Sequence, residues 1–436
     1  MAREALRLPE FRFYLGFRGM MTFGLQMQAV VIGYHLYAIT KDPLSLGLIG
    51  LAEALPAITS ALYAGHVADR SEKRRLLLTV ASAMALLSLC IAWAHHAAEA
   101  GTLGPVSYQW AVYGFIFLGG IARGFYSPAG SSLQALLVPR AIYTEASAYS
   151  SMVWQAATVL GPTLGGFVYA WSGAIASQGV VFGCMALGIA SLTQVAPRQP
   201  STLALQAESV AESIRQGWRF VRGQRVLLGA ISLDMLSVFF GGAVALLPIY
   251  AKDILHVGPE GLGMLRAADA VGSVATMFVI TRTGAFKRPW QTLLWVVAGF
   301  GCTIIGFGLS TNFYLSLAWL VALGCFDAVS VVIRSTLIQS LTPDHMRGRV
   351  ASISSIFIAS SNEIGSFESG LTARWMGTVP ATLFGGAMTL LVVSGFSFLK
   401  TKPQEDRAAS SDACTYDEAA EAQAQEHQPP AAPGPA

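Results

Sequence analysis

Charge is what this sequence has least of. Only 12% of its 436 residues are Asp, Glu, Lys or Arg, against about 25% in an ordinary soluble domain, while 53% are hydrophobic. The net charge of +3 is too small to point to a nucleic-acid partner. Cysteine is also scarce. Five are scattered with no CxxC spacing and no Cys/His pairing, which excludes a disulfide framework and a zinc site. Cys90, Cys184, Cys302 and Cys325 fall inside apolar stretches and read as small buried hydrophobes. There is no metal-ligand cluster, nucleophile elbow or phosphate loop, so neither an enzyme nor a cofactor is expected. Met1–Arg12 is polar, and no cleavable leader is expected.

Apolar stretches fill the rest. Twelve lie near 13–39, 44–68, 76–96, 107–137, 146–171, 177–195, 227–251, 260–282, 290–309, 313–341, 350–375 and 379–399. A helix needs about 20 apolar residues to cross a bilayer. In lipid only helices and closed barrels satisfy the backbone, and these runs alternate too little for barrel strands. The expectation is an all-α membrane protein with 12 transmembrane helices in two six-helix, pseudo-symmetric halves. The halves would be 1–196 and 227–400, joined by a linker at 197–226 and followed by a disordered tail at 401–436. In the linker, Ala207–Val221 puts Val210, Ile214, Trp218 and Val221 on one face, as in a helix lying on a membrane surface. Pro128 and Pro248 predict bends in the fourth and seventh helices.

Basic residues cluster in alternate loops: Arg3, Arg7 and Arg12, then Arg70 to Arg75, Arg140, Arg198 to Arg225, Arg282 to Arg288, and Arg347 with Arg349. The positive-inside rule then predicts a multi-pass protein of the cell (inner) membrane with both termini in the cytoplasm. The halves repeat weakly. At an offset of 204, Pro139, Gly161 and Gly166 match Pro343, Gly365 and Gly370; at 216, Leu46, Gly47 and Glu53 match Leu262, Gly263 and Asp269. Such repeats are a mark of transporters that bind substrate between the halves.

Three motifs carry a resemblance. Gly65-His-Val-Ala-Asp69-Arg70-Ser-Glu-Lys73-Arg74-Arg75 resembles the first signature of the major facilitator superfamily, with Val67 for Leu and Glu72 for the second Gly. Ala157-Thr-Val-Leu-Gly161-Pro162-Thr-Leu-Gly165-Gly166 resembles the exporter-associated motif of the same superfamily, with Ala157 for its first Gly. Thr342-Pro343 through Arg347-Gly348-Arg349 is similar to the turn before helix eleven in the enterobactin-exporter and macrolide-efflux branch, as are Phe125–Ala129 and Val138–Arg140. The resemblance implies the major facilitator fold. It also implies gating roles for Gly65, Asp69, Arg70, Lys73, Arg74, Gly161, Pro162, Gly165, Gly166, Arg347 and Arg349. Asp69 would meet the start of helix eleven, near Arg347–Val350, where a helix dipole and arginines favour a carboxylate.

Charges at bilayer depth cost about 2.5–3.5 kcal/mol or more, so each is a functional candidate. Helices three, six, nine and twelve carry none in their interiors, whereas one, four, seven and ten carry Arg18, Gln26, Gln28, Arg123, Asp234, Asp327 and Arg334. The resemblance implies that the second group of helices lines a central cavity. Glu53, Asp269 and Glu363 are added as mid-depth acids, with Arg266 one turn from Asp269. Glu363 and Glu368 lie about 140° apart on their helix, so only one can face the cavity squarely. His35 reads as an interfacial histidine rather than a proton relay.

The expected function is secondary transport by alternating access: proton-coupled efflux of a small amphipathic molecule, siderophore or drug-like, by a monomer in the bilayer. An importer or uniporter of the same fold is the alternative within the class. A non-transporting membrane receptor or scaffold is the alternative outside it. Proton coupling needs a carboxylate whose proton affinity changes with desolvation and with the approach of an arginine. Asp327, Asp234, Glu53 and Asp269 are the candidates, since the first helix carries no acid.

Overall fold

A computed structural model describes residues 4–139, 142–197, 210–283, 286 and 288–398. The expected tail at 401–436 and most of the linker before Val210 lie outside the described residues. Among the described residues there is no strand. The long helices are α1 Pro9–Thr40, α2 Pro43–Arg70, α3 Lys73–Glu99 and α4 Pro105–Leu137. Next comes Tyr143–Thr193, which breaks at Gly173 into α5 (143–172) and α6 (174–193). The linker helix α7 spans Val210–Gly223, and α8 spans Arg225–Phe240. The set closes with α9 Gly258–Thr283, α10 Pro289–Leu309, α11 Phe313–Leu341, α12 Asp344–Met376 and α13 Thr378–Ser397.

Among the described residues, eight stretches are long and apolar enough to cross a bilayer by length and composition. Three other long helices, α1, α4 and α12, carry polar residues within their spans: Gln26 and Gln28, Arg123, and Asn362 with Glu363. Large side chains such as Trp110, Trp171, Trp295, Tyr314 and Trp375 stand on the outer surface, where a water-soluble protein would carry charge.

Local sequence explains the boundaries. Asp42 caps α2 by accepting from the Leu44 amide, and Asn312 caps α11 by accepting from Tyr314 and Leu315. Proline occupies the first turn of α1, α2, α4 and α10, where its missing amide costs nothing. Two expectations shift. The turn between the fifth and sixth helices is a single residue, Gly173 at φ 76°, a conformation glycine adopts freely. The seventh span breaks before Pro248. Its helix stops at Gly241 and continues as a 3₁₀ turn at Gly242–Leu246 and a π turn at Tyr250–Ile254. A side chain at Gly241 would sit 2.7 Å from the Phe300 ring, so the break also lets α10 approach. At Pro128 α4 continues unbroken as helix.

Glycines set the helix contacts. α1 packs on both α5 and α6, with Gly161 and Gly165 against Phe23, Gln26 and Met27, and Gly24 against Val181 and Met185. The N-terminal core gathers Met21, Met27, Leu77, Leu133, Val181 and Met185. A C-terminal core gathers Ala230, Leu233, Trp290, Leu293, Ile333 and Leu337. A third cluster joins the two sets of helices: Val30, Tyr37 and Leu46 pack with Leu246, Leu247, Tyr250, Leu262 and Phe307.

The linker helix does not simply lie on a lipid surface. Val221 is fully buried with Leu227, Ile231 and Val350, and Trp218 stacks on Phe357 at 5.8 Å. Arg349 donates to Gln216 Oε1 at 2.5 Å. The linker is therefore docked against the first turns of α12. Val210 and Ile214, placed on the same face by the sequence, have side chains outside the described residues.

Candidate functional site

A cavity of about 480 Å³ lies where the two sets of helices meet. Its polar lining is Gln26 and Gln28 from α1, Glu53 from α2, Arg123 from α4, Arg266 and Asp269 from α9, Asp327 from α11, and Asn362 with Glu363 from α12. Apolar wall is supplied by residues such as Ile32, Ile49, Phe115, Val244 and Phe300. The second, eighth and eleventh helices thus contribute more charge to the lining, through Glu53, Arg266, Asp269 and Glu363, than the first, fourth, seventh and tenth, which contribute Arg123 and Asp327. α3 and α10 add only apolar residues, Met84, Leu87 and Phe300.

Asp234 and Arg334 are not in this lining. They form an ion pair buried between α8 and α11, with only 8% and 6% of their side chains exposed. Ser330 donates a further hydrogen bond to Asp234 Oδ1 at 3.3 Å. A recess of about 10 Å³, room for at most one water, is lined by both Asp234 and Asp327. These two residues, expected as pathway groups, therefore stand in a buried pair behind the wall rather than in the lining. The physical reason is pairing: Arg334, seven residues from Asp327, turns to the carboxylate of α8 instead.

Two helix crossings place the remaining charges. At Gly120, α4 passes so close to α2 that a Cβ would sit 2.5 Å from the Glu53 carbonyl oxygen. One turn on, Arg123 pairs with the Glu53 carboxylate. At Gly324, α11 meets the backbone of Asp269 on α9 in the same manner. One turn on stands Asp327, and it interacts electrostatically with Asp269. Gly120 and Arg123 match Gly324 and Asp327 at the offset of 204 that relates Gly161 to Gly365. The repeat therefore puts an acid–arginine pair in one half and an acid–acid pair in the other, with Arg266 as the countercharge of Asp269. Arg266 Nε and Gln28 Oε1 are buried without a hydrogen-bond partner, so the lining has unmet polar capacity.

The ambiguity on α12 resolves. Glu363 faces α2, with Oε2 2.9 Å from where a Cβ on Gly50 would be, and it interacts with Arg123. Glu368 instead accepts from Thr372 and Ser369 on its own helix. His35 meets the Tyr169 hydroxyl at 2.9 Å and packs edge-on against His95 at 4.5 Å, outside the cavity lining.

Away from the linker, two seams close the cavity. On α2 and α12, Gly50, Gly47 and Pro43 pack against Glu363, Ser366 with Phe367, and Gly370. On α5 and α9, Gly166 meets Pro259 and Gly263, while Gly263 in turn meets Thr163. Polar contacts tie the same end: Arg374 to Asp42 at 3.5 Å, the Tyr37 hydroxyl to Asp253, and Lys252 to the Ala38 carbonyl at 3.4 Å. The glycines of the helix-five motif thus divide their work. Gly161 and Gly165 seat α1, whereas Gly166 touches the opposite half. Pro162 lies inside α5 without ending it.

The first signature is only partly described. The placements of Gly65, Asp69 and Arg70 beyond their helical backbone lie outside the described residues, so the expected meeting of Asp69 with α12 does too. Arg74 donates to the Thr193 carbonyl at 2.8 Å and to Leu192 at 3.4 Å, capping the C-terminus of α6. Lys73 is buried, Arg347 exposed.

A family model described as "Transmembrane secretion effector" matches residues 5–429. The chain belongs to that family, within the major facilitator superfamily. It is 24% identical over 422 residues to the enterobactin exporter EntS of Escherichia coli K12, covering 92% of this chain and 96% of the relative. It is 23% identical over 404 residues to the uncharacterized MFS-type transporter YfmI of Bacillus subtilis, covering 89% and 96%. Solved structures agree in fold. A bacterial homologue of the iron transporter ferroportin in an inward-facing state superposes with TM-score 0.68 at 16% identity, over 90% of this chain and 99% of that one. The xylose transporter XylE of E. coli in an inward-open conformation gives 0.64 at 14% identity, over 92% and 98%. The protein is an all-α major facilitator transporter and not an enzyme.

Proposed function

We propose that this transporter exports a small amphipathic molecule from the cytoplasm, by alternating access coupled to protons. The observation that carries the reading is the cavity: charged groups from both halves stand among apolar wall residues, and two helix seams shut it at the end away from the linker. The basic loops put the linker in the cytoplasm, so the sealed end is the outer one and this state faces inward. The enterobactin exporters among its relatives support the direction.

For coupling, the reading assigns the proton to Asp327 together with Asp269. Two carboxylates facing each other in a partly dry cavity hold one proton between them more readily than two charges. Glu53 pairs with Arg123 and Asp234 with Arg334, whereas Asp269 and Asp327 stand together beside the cation Arg266, so the reading takes the α9–α11 pair as the exchangeable acids. The test is counterflow and proton-driven uptake in proteoliposomes with a panel of siderophores and amphipathic drugs. Saturable counterflow that an imposed proton gradient accelerates supports export by antiport. Counterflow indifferent to the gradient would make the protein a uniporter.

A further inference from the structure

We propose that Arg123 is shared between two carboxylates, Glu53 in its own half and Glu363 in the opposite half, and that its tie to Glu363 latches the α2–α12 seam. The proposal rests on the alternating-access reading, in which that seam must open and close. Neither the family resemblance nor the relatives assign these residues.

Geometry places the three groups for sharing. Residues 363, 366–367 and 370 of α12 lie one turn apart on a single face, against Gly50, Gly47 and Pro43 of α2. Glu363 is the last contact of that seam on the cavity side. It is pressed against Gly50, one turn from Glu53 on the same helix. Behind them, the close crossing at Gly120 brings Arg123 onto Glu53. Arg123 therefore stands beside an acid of its own half and faces an acid of the other, and all three line the cavity. A guanidinium offers five donors in a fixed fork, enough to touch both carboxylates but only one positive charge to balance them.

That shortage is the latch. Two carboxylates compete for one cation, so strengthening one contact weakens the other. With the seam closed, Arg123 pairs with Glu53 while Glu363 attracts it from the other half. When α12 swings away from α2, Glu363 leaves and Arg123 falls back wholly on Glu53. Glu363 then acts as the clasp across the halves, Glu53 as the alternative seat, and the two acids should have opposite effects on the same equilibrium. A merely structural ion pair would not show this, because losing either acid would loosen the same region.

The experiment is a distance measurement between spin labels at Thr102→Cys and Thr311→Cys, exposed loop positions of the two halves at the sealed end. It uses full-length, ligand-free protein in nanodiscs with the native cysteines replaced. Glu363→Gln should raise the long-distance fraction about fivefold or more, the scale of a typical coupling between sites. Arg123→Gln should raise it likewise, and Arg123→Lys should retain a mostly closed distribution. Glu53→Gln should lower the long-distance fraction, since it releases Arg123 to Glu363. If Glu53→Gln and Glu363→Gln move the distribution in the same direction, or if neither moves it, the shared-arginine latch is overturned. Because no substrate is present, failure of the export reading shows in the liposome assay and leaves these distances unaffected.

Discussion

Breaking the buried pair behind the cavity wall should separate a structural charge from a working one. Asp234 and Arg334 are each more than nine-tenths buried, with Ser330 donating to Asp234 and Val296, Val297 and Phe326 among the residues that line the recess beside it. Removing Asp234 alone, as Asp234→Ala, strands a guanidinium in a medium that cannot solvate it. Loss of one partner of such a pair costs about 3–5 kcal/mol, whereas replacing both by apolar groups of similar volume is often neutral or stabilising. We expect Asp234→Ala and Arg334→Ala each to destabilise by about 3–5 kcal/mol. Asp234→Leu/Arg334→Met should return to within about 1 kcal/mol of the parent and keep transport. The assay is denaturant unfolding of detergent-purified protein followed by tryptophan fluorescence, beside liposome transport. A thiol probe adds a second readout. A cysteine at 234 should resist small water-soluble reagents, while cysteines at Gln26, Arg123 and Asp327 should react. Additive losses in the double variant, or its failure to transport while well folded, would refute the argument and return the pair to the pathway.

Other outcomes follow from the same geometry. Asp327→Asn should abolish proton-driven efflux but preserve substrate exchange, because exchange needs no net protonation change; a rate that still follows an imposed gradient removes Asp327 from coupling. Gly166→Leu should force α5 from α9, since even a Cβ would lie 2.5 Å from the Pro259 carbonyl, and cross-linking between positions 163 and 263 should fall several-fold. Gly161→Leu should instead displace α1 and lower stability, which a melting curve in detergent reads directly. Asp69→Asn should slow cycling severalfold with normal membrane insertion, measured as transport per inserted molecule; undiminished transport would remove Asp69 from gating.

Class was legible in the sequence, and so was where charge falls inside apolar runs, because both depend on quantities that add along a chain. Length of apolar run, loop charge and the cost of a charge in lipid need no partner to evaluate. The repeat was legible as well, and it held the clue to Gly120 and Gly324: both stand one turn before a charged residue, at the same offset of 204. Pairing was not legible. Asp234 and Asp327 look alike in sequence, each a lone acid in an apolar helix. Yet one is neutralised by an arginine a hundred residues away and the other interacts with a second acid on the helix that crosses its own. Glu363 and Glu368 differ only in rotation about a helix, and only the position of α2 decides which of them meets an arginine. Composition and periodicity determine that a chain must place charge in the membrane. Which charge finds its opposite depends on where helices cross, and that is set by packing between residues far apart in the chain.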